Sequence, residues 1–222
     1  MGQLETSLEA QAKILGIELF GISPVSNFYN HYGMISKTIL KRYSNAISIG
    51  YVIPKSLLYD STSDYYKYFL NNTILPTLDR TAIYLSRIIE KNGGNAFPVP
   101  VYNYINDSEF PFYFHNLVAS YAGLGWLGKN NRVINKKYGS RIHCATILSD
   151  LELEPNDICE NLCKDCSICM ENCPTNALTG LPFHPEHKIS ERINVNDCLL
   201  RYDFNNVSEV CLKCVNICPY NK

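Results

Sequence analysis

The sequence contains no run of 18 apolar residues, which excludes a helix of membrane-spanning length. Met1-Gly-Gln-Leu-Glu-Thr6 has no basic stretch leading into an apolar one, so no secretory signal is expected. Charge of one sign is also scarce: 20 Lys and Arg stand against 21 Asp and Glu, a net charge of −1. So balanced a chain shows no electrostatic footprint for nucleic acid. There are no internal repeats and no low-complexity tract. With no export signal and an abundance of thiols, the expectation is a cytoplasmic protein with no membrane partner.

Cysteine, by contrast, is plentiful: ten residues in 222. The run Cys163-Lys-Asp-Cys166-Ser-Ile-Cys169-Met-Glu-Asn-Cys173-Pro174 is C-x2-C-x2-C-x3-C-P. That is the spacing of bacterial two-cluster ferredoxins. Cys211-Leu-Lys-Cys214-Val-Asn-Ile-Cys218-Pro219 repeats it one thiolate short, and Cys198 can supply the missing ligand. In such runs the last cysteine reaches across to the other cluster. The pattern therefore predicts one [4Fe–4S] cluster on Cys163, Cys166, Cys169 and Cys218. A second would sit on Cys198, Cys211, Cys214 and Cys173. Structural zinc and a disulfide framework are the competing readings. Zinc usually takes separated pairs or Cys/His sets, and disulfides need an oxidising compartment. Cys144 lies in the apolar run Ile142 to Leu148 and reads as core, while Cys159 is a substitute ligand candidate.

Residues 3–15 show helical spacing of Leu4, Leu8, Ala12 and Leu15, stopped by Gly16. Strands are predicted at Ile17–Ser23, Ala46–Ile53, Ala96–Val101, Arg132–Asn135 and Arg141–Leu148. The segment 96–101 holds two prolines and should lie at a sheet edge. A long helix is predicted over 63–91, kinked or divided at Pro76, and a short one over 112–121. The fold class is α/β (α+β): residues 1–155 as a domain of interleaved helices and strands, residues 156–222 as a ferredoxin-like cluster domain.

Ala122-Gly-Leu-Gly-Trp-Leu-Gly-Lys-Asn-Asn131 contains G-x-G-x-x-G, but it follows a helix instead of a strand, the wrong context for a dinucleotide site. It also misses a phosphate loop, with Asn130 where Ser or Thr should stand. Two readings remain: a tight loop that uses glycine's freedom, or a cofactor-binding loop. In the second, Gly123, Gly125, Trp126, Gly128, Lys129 and Asn130 would hold a cofactor edge.

Several stretches together resemble the epoxyqueuosine reductase family of cobalamin-dependent iron–sulfur proteins. They are Gly16-Ile-Glu-Leu-Phe-Gly-Ile-Ser-Pro24, Ala46-Ile-Ser-Ile-Gly-Tyr51, the Ala122–Asn130 loop, Tyr138-Gly-Ser140, Ile147–Leu153 and the cysteine pattern. The resemblance implies a nitroreductase-like domain beside a ferredoxin-like domain, with cobalamin between them. The fold class also hosts flavins. It implies an oxidoreductase fed by a ferredoxin- or flavodoxin-type donor, acting on a small molecule or a corrinoid partner. It also implies a catalytic aspartate upstream of the loop, for which Asp107 is the candidate. His115 is a second titratable group there and reads as a packed residue. Family members that act on tRNA continue into a helical-repeat domain; this chain is expected to be a short member without it, and with no compensating charge, tRNA is not expected as a partner. The alternative function is a non-enzymatic electron-transfer or redox-sensing protein with no organic cofactor.

Overall fold

Two adjacent strands buried on both faces fix the architecture. The computed structural model describes residues 2–31, 35–59, 64–101, 113–199 and 211–221. Its main sheet holds β1 (Leu19–Pro24), β2 (Asn45–Val52), β3 (Ala96–Val99) and β6 (Ile142–Ser149), in the order β1-β2-β6-β3. All three pairings are antiparallel. β4 (Trp126–Leu127) and β5 (Val133–Ile134) form a separate two-stranded ribbon. Every residue of β6 is buried, and all but one of β2. Strands covered on both faces read as continuous apolar runs instead of alternating ones, as these two do.

On one face, Ile47, Ile49, Ala145 and Ile147 share a core with Leu8 and Ala12 of the N-terminal helix (Gln3–Ile14) and Leu78 and Leu85 of the long helix (Leu75–Lys91). On the other, Ala46 and Leu148 pack with Phe114, Leu117 and Val118 of the helix Tyr113–Tyr121. Each fully buried Leu or Ile side chain stabilises by roughly 1.5–3 kcal/mol relative to exposure.

The N-terminal helix stops as its sequence requires. Gly16 adopts φ +83°, and Gly16 N–H and Ile17 N–H return to the carbonyls of Lys13 and Ala12. The predicted long helix is divided: Asp64–Phe69, a π-helical turn at Leu70–Ile74, then Leu75–Lys91. Pro76 lies two residues into the last piece, directly after the π-helical turn, in a helical backbone that runs on without a break. The widened turn before it takes up the mismatch. β3, with Pro98 opposite Ile147, is at the sheet edge.

The C-terminal third is built from short helical turns: Ile168–Glu171, Ile189–Arg192 and Lys213–Asn216. It does not hang free of the sheet. Leu212 and Val215 belong to the same buried core as Ile47 and Leu78, and Asn216 Nδ2 donates to Leu58 O at 2.8 Å. Where the chain leaves the sheet, Asn156 binds the backbone of β1: Ile22 N–H donates to its Oδ1 at 2.8 Å, and its own N–H donates to Ile22 O at 2.9 Å. No helix among the described residues is long and apolar enough to cross a membrane.

Candidate metal centre

Tight turns bring the first thiols together. Cys166 N–H donates to Cys163 O at 2.8 Å, with Lys164 between them in the left-handed region (φ +37°). The helical turn Ile168–Glu171 then presents Cys169, and Cys218 arrives from the end of the turn Lys213–Asn216. Cys163, Cys166, Cys169 and Cys218 line one cavity of about 350 Å³, open mouth included, with Lys129, Asn130, Ile134 and Tyr220. Burial pushes the Cys169 thiol up to about 11, and Cys163, Cys166 and Cys218 push it in the same direction. Repulsion of that kind marks ligands that need metal to hold their thiolates together. Four soft sulfur donors around one cavity suit an iron–sulfur cubane.

The second set, Cys173, Cys198, Cys211 and Cys214, is half-buried. Burial lifts Cys214 to about 12 and Cys198 to about 11. Cys211 adds to both shifts, and Cys173 to that of Cys198, while the Arg132 guanidinium opposes both. For Cys173, burial pushes the thiol up, but hydrogen bonds from Thr175, Ala177 and Leu178 outweigh it and the pKa falls. Donors to sulfur are one of the controls on cluster potential. The first predicted set of four lines one cavity, while in the second Cys198 and Cys214 each feel Cys211, and Cys214 also feels Cys169 of the first.

The glycine loop is directed at these thiols. Trp126 Nε1–H donates to Cys163 Sγ at 3.3 Å, and its ring meets Tyr220 edge-on at 4.9 Å. Lys129 Nζ donates to Cys166 O at 3.0 Å, and Asn130 Nδ2 to Cys214 O at 3.2 Å. Gly123 has φ +74°, and a Cβ on Gly125 would stand 2.2 Å from Ile134 O. Its glycines are required by the chain's own turn and packing. Tyr138-Gly139-Ser140 docks the C-terminal run: Ser140 N–H donates to Asn221 Oδ1 at 2.8 Å and Ser140 Oγ to Val215 O at 3.1 Å.

Of the remaining predicted residues, Asp107 lies outside the described residues. His115 is buried, with Nδ1 3.0 Å from Thr146 Oγ1 and Nε2 3.1 Å from Pro100 O. A carbonyl only accepts, so Nε2 carries the proton and Nδ1 accepts from the threonine. Burial lowers the pKa of this neutral ring to about 4. Cys144 is core, packed with Val52, Ala119 and Leu124, its thiol pushed up by burial to about 12. Cys159 is exposed and donates to Gly123 O at 3.4 Å. Two buried arginines, Arg132 and Arg192, had no sequence signal: nothing in Asn-Asn-Arg132-Val or Ser-Glu-Arg192-Ile distinguishes them from surface residues.

Comparison with known proteins bears on the same region. Residues 162–222 match the 4Fe-4S dicluster domain family. The epoxyqueuosine reductase of Listeria monocytogenes is 33% identical over 109 residues, a match spanning 47% of this chain and 29% of that protein. Over about half of its length this chain is similar to the epoxyqueuosine reductases. It spans less than a third of the length of that curated relative. The dicluster match replaces the zinc and disulfide readings with iron–sulfur clusters. The fold is shared with a solved epoxyqueuosine reductase (TM-score 0.63, 18% identity, 99% of this chain and 65% of that one). It is also shared with a reductive dehalogenase whose structure suggests a mechanism for B12-dependent dehalogenation (TM-score 0.75, 18% identity, 97% and 32%). That epoxyqueuosine reductase was solved with an epoxyqueuosine-modified tRNA-Tyr stem loop. The finding corrects the expectation that tRNA is not a partner. Net charge is a sum over the chain and does not report a local binding face.

Proposed function

We propose that this chain is an iron–sulfur oxidoreductase of the epoxyqueuosine reductase type, delivering electrons through two [4Fe–4S] clusters to a cofactor beside the sheet domain. Cys163, Cys166, Cys169 and Cys218 hold one cluster, and Cys198, Cys211, Cys214 and Cys173 the other. Residues 156–222 form the electron-carrying domain, and residues 1–155 the domain that receives cofactor and substrate. The observation that carries this reading is the four-thiol cavity walled by the glycine loop. Cobalamin is the cofactor proposed, from the fold shared with the B12-dependent dehalogenase. When bound, a corrin supplies the low-potential centre that performs the reduction. The chain's own part is to set the cluster thiols against the loop Gly123–Asn130, the segment that would separate them from a bound corrin. The substrate class is an epoxide-bearing nucleoside in tRNA, as in the relative's complex. The electron donor is a small ferredoxin or flavodoxin.

The test is anaerobic reconstitution followed by titration with cobalamin and, separately, with a flavin. The expected result is about eight irons per chain and a base-off cobalamin spectrum. Turnover of a modified tRNA stem loop would then identify the substrate. A second reading has its own support: the loop's polar groups face cluster cysteines and the carbonyl of Ile134 blocks one of its glycines. On that reading the protein carries electrons without an organic cofactor. Full iron content with neither cobalamin nor flavin bound would select it.

A further inference from the structure

Arg192 heads the fully buried side chains among the described residues by size, with 0% of its surface exposed. A guanidinium cannot shed its proton to escape burial, and a buried charge needs compensation. No Asp or Glu lies within ion-pair distance of it among the described residues. Its partners are neutral: Nη2 donates to Gly128 O at 2.8 Å and Nε to Leu181 O at 3.4 Å, and the Tyr113 hydroxyl also interacts with the guanidinium. The Phe183 ring lies 5.3 Å from its Cζ. Carbonyl dipoles and a ring face offset part of the charge, and none of them is an anion.

The position of that charge is informative. Gly128, which the guanidinium holds, stands between Trp126 and Lys129 in sequence. Trp126 donates to Cys163 Sγ and Lys129 to Cys166 O. Burial opposes the charge on Arg192, while Tyr113 and Cys163 favour it. The next residue, Ile193, belongs to an apolar group against which Cys169, Cys173, Cys198 and Cys214 pack, so it lies beside ligands of both sets, and the link to the first set rests on Gly128 and Cys163. Four thiolates on a [4Fe–4S] core leave a cluster with net negative charge, and one more negative charge when it accepts an electron. That is an anion, which the described residues around Arg192 do not otherwise supply.

We propose that Arg192 is the buried countercharge of the cluster held by Cys163, Cys166, Cys169 and Cys218, and raises that cluster's reduction potential. The proposal rests on the cluster assignment made above. The step is one-electron: a donor protein loses an electron, the cluster gains it, and no proton moves, because the guanidinium stays charged in both states. Arg192 acts through the cluster and is a positioning residue, not a catalytic one.

The experiment is a redox titration of the anaerobically reconstituted full chain, followed by electron paramagnetic resonance. The signal lost in Cys169→Ala identifies the cluster in question. Arg192→Gln is expected to disfavour its reduction at least tenfold, about 59 mV for one electron, with a smaller change in the other cluster. Arg192→Lys should stay near wild type at neutral pH. Its potential should fall as pH rises, since a buried ammonium can lose its proton and a guanidinium cannot; the wild type should show no such fall. An Arg192→Gln protein with about eight irons and an unmoved potential overturns the proposal. Where Arg192→Gln does not fold, a pH-independent potential in Arg192→Lys overturns it equally. A wild type lacking the Cys169-dependent signal removes the cluster assignment itself, and the proposal with it.

Discussion

The two sets of four thiols sit in different materials. The first is surrounded by a loop: Trp126, Lys129, Asn130 and Tyr220 border a cavity that opens outward. The second is set against hydrophobic core, with Cys214 packed on the layer that contains Leu212, Val215, Ile47 and Leu78. A cluster of the first kind is expected to be removable without opening the main sheet, because the apolar neighbours of Cys163 and Cys218 are Trp126 and Ile134 of the separate β4-β5 ribbon. A cluster of the second kind shares its support with that sheet. Within one short segment, redox tuning and structural anchoring are thus divided between the two sites.

The strongest way to break this comparison is to remove one ligand from each set. Cys214→Ala should cost about half of the roughly eight irons and also lower the thermal stability of the sheet domain. Cys169→Ala should cost the same iron and leave that stability nearly unchanged. Iron analysis with circular-dichroism melting decides it, and equal melting losses would end the distinction. Next in size is Leu212→Ala, expected to cost about 2–5 kcal/mol because it opens a cavity in shared core. Leu162→Ala, beside the first set and only partly buried, should cost much less in the same denaturant titration.

Acid provides a third contrast, since the buried neutral imidazoles lie on the sheet side. His115 has its pKa depressed by burial to about 4, and His143 well below its usual value for the same first reason. The unfolded chain takes up their protons as pH falls below about 6.5, and the native state resists. Stability should therefore be full above pH 6.5 and decline steadily toward pH 4. His115 alone accounts for on the order of 3 kcal/mol of the decline. Unfolding of His115→Gln measured at pH 7 and pH 5 should show a shallower loss than wild type. The smallest effect is the most selective: Trp126→Phe removes one donor to Cys163 Sγ, worth about 0.5–1.5 kcal/mol. It should lower the potential of the first cluster alone, by the same titration used for Arg192.

The cysteine spacing was legible because ligation depends on short-range geometry, and turns such as Cys163–Cys166 are encoded locally. The strands were legible for a related reason: burial on both faces writes Ile142–Ser149 as one apolar run. Pro98 announced its edge position by lacking a donor. The purpose of the glycine loop was harder to read. Gly125 is needed because Ile134 O approaches it, and that is a fact of tertiary packing with no local trace. Arg192 was invisible for the same reason, since a charged residue in Ser-Glu-Arg-Ile looks like surface until its surroundings are assembled. The division at Pro76 was anticipated, but the π-helical turn that accomplishes it was not, because its cause lies in how two helical pieces fit the sheet.

Asn156 has a consequence beyond joining two parts of the chain. A sheet of four strands has two open borders, and an open border invites pairing with another polypeptide. At β1 the side chain and backbone of Asn156 occupy the donor and acceptor of Ile22. At β3, Pro98 has no donor to offer. Neither seal involves a cysteine. The expected consequence is that protein stripped of its iron keeps Ile22 and Pro98 blocked and resists edge-to-edge association, which light scattering after chelation would check.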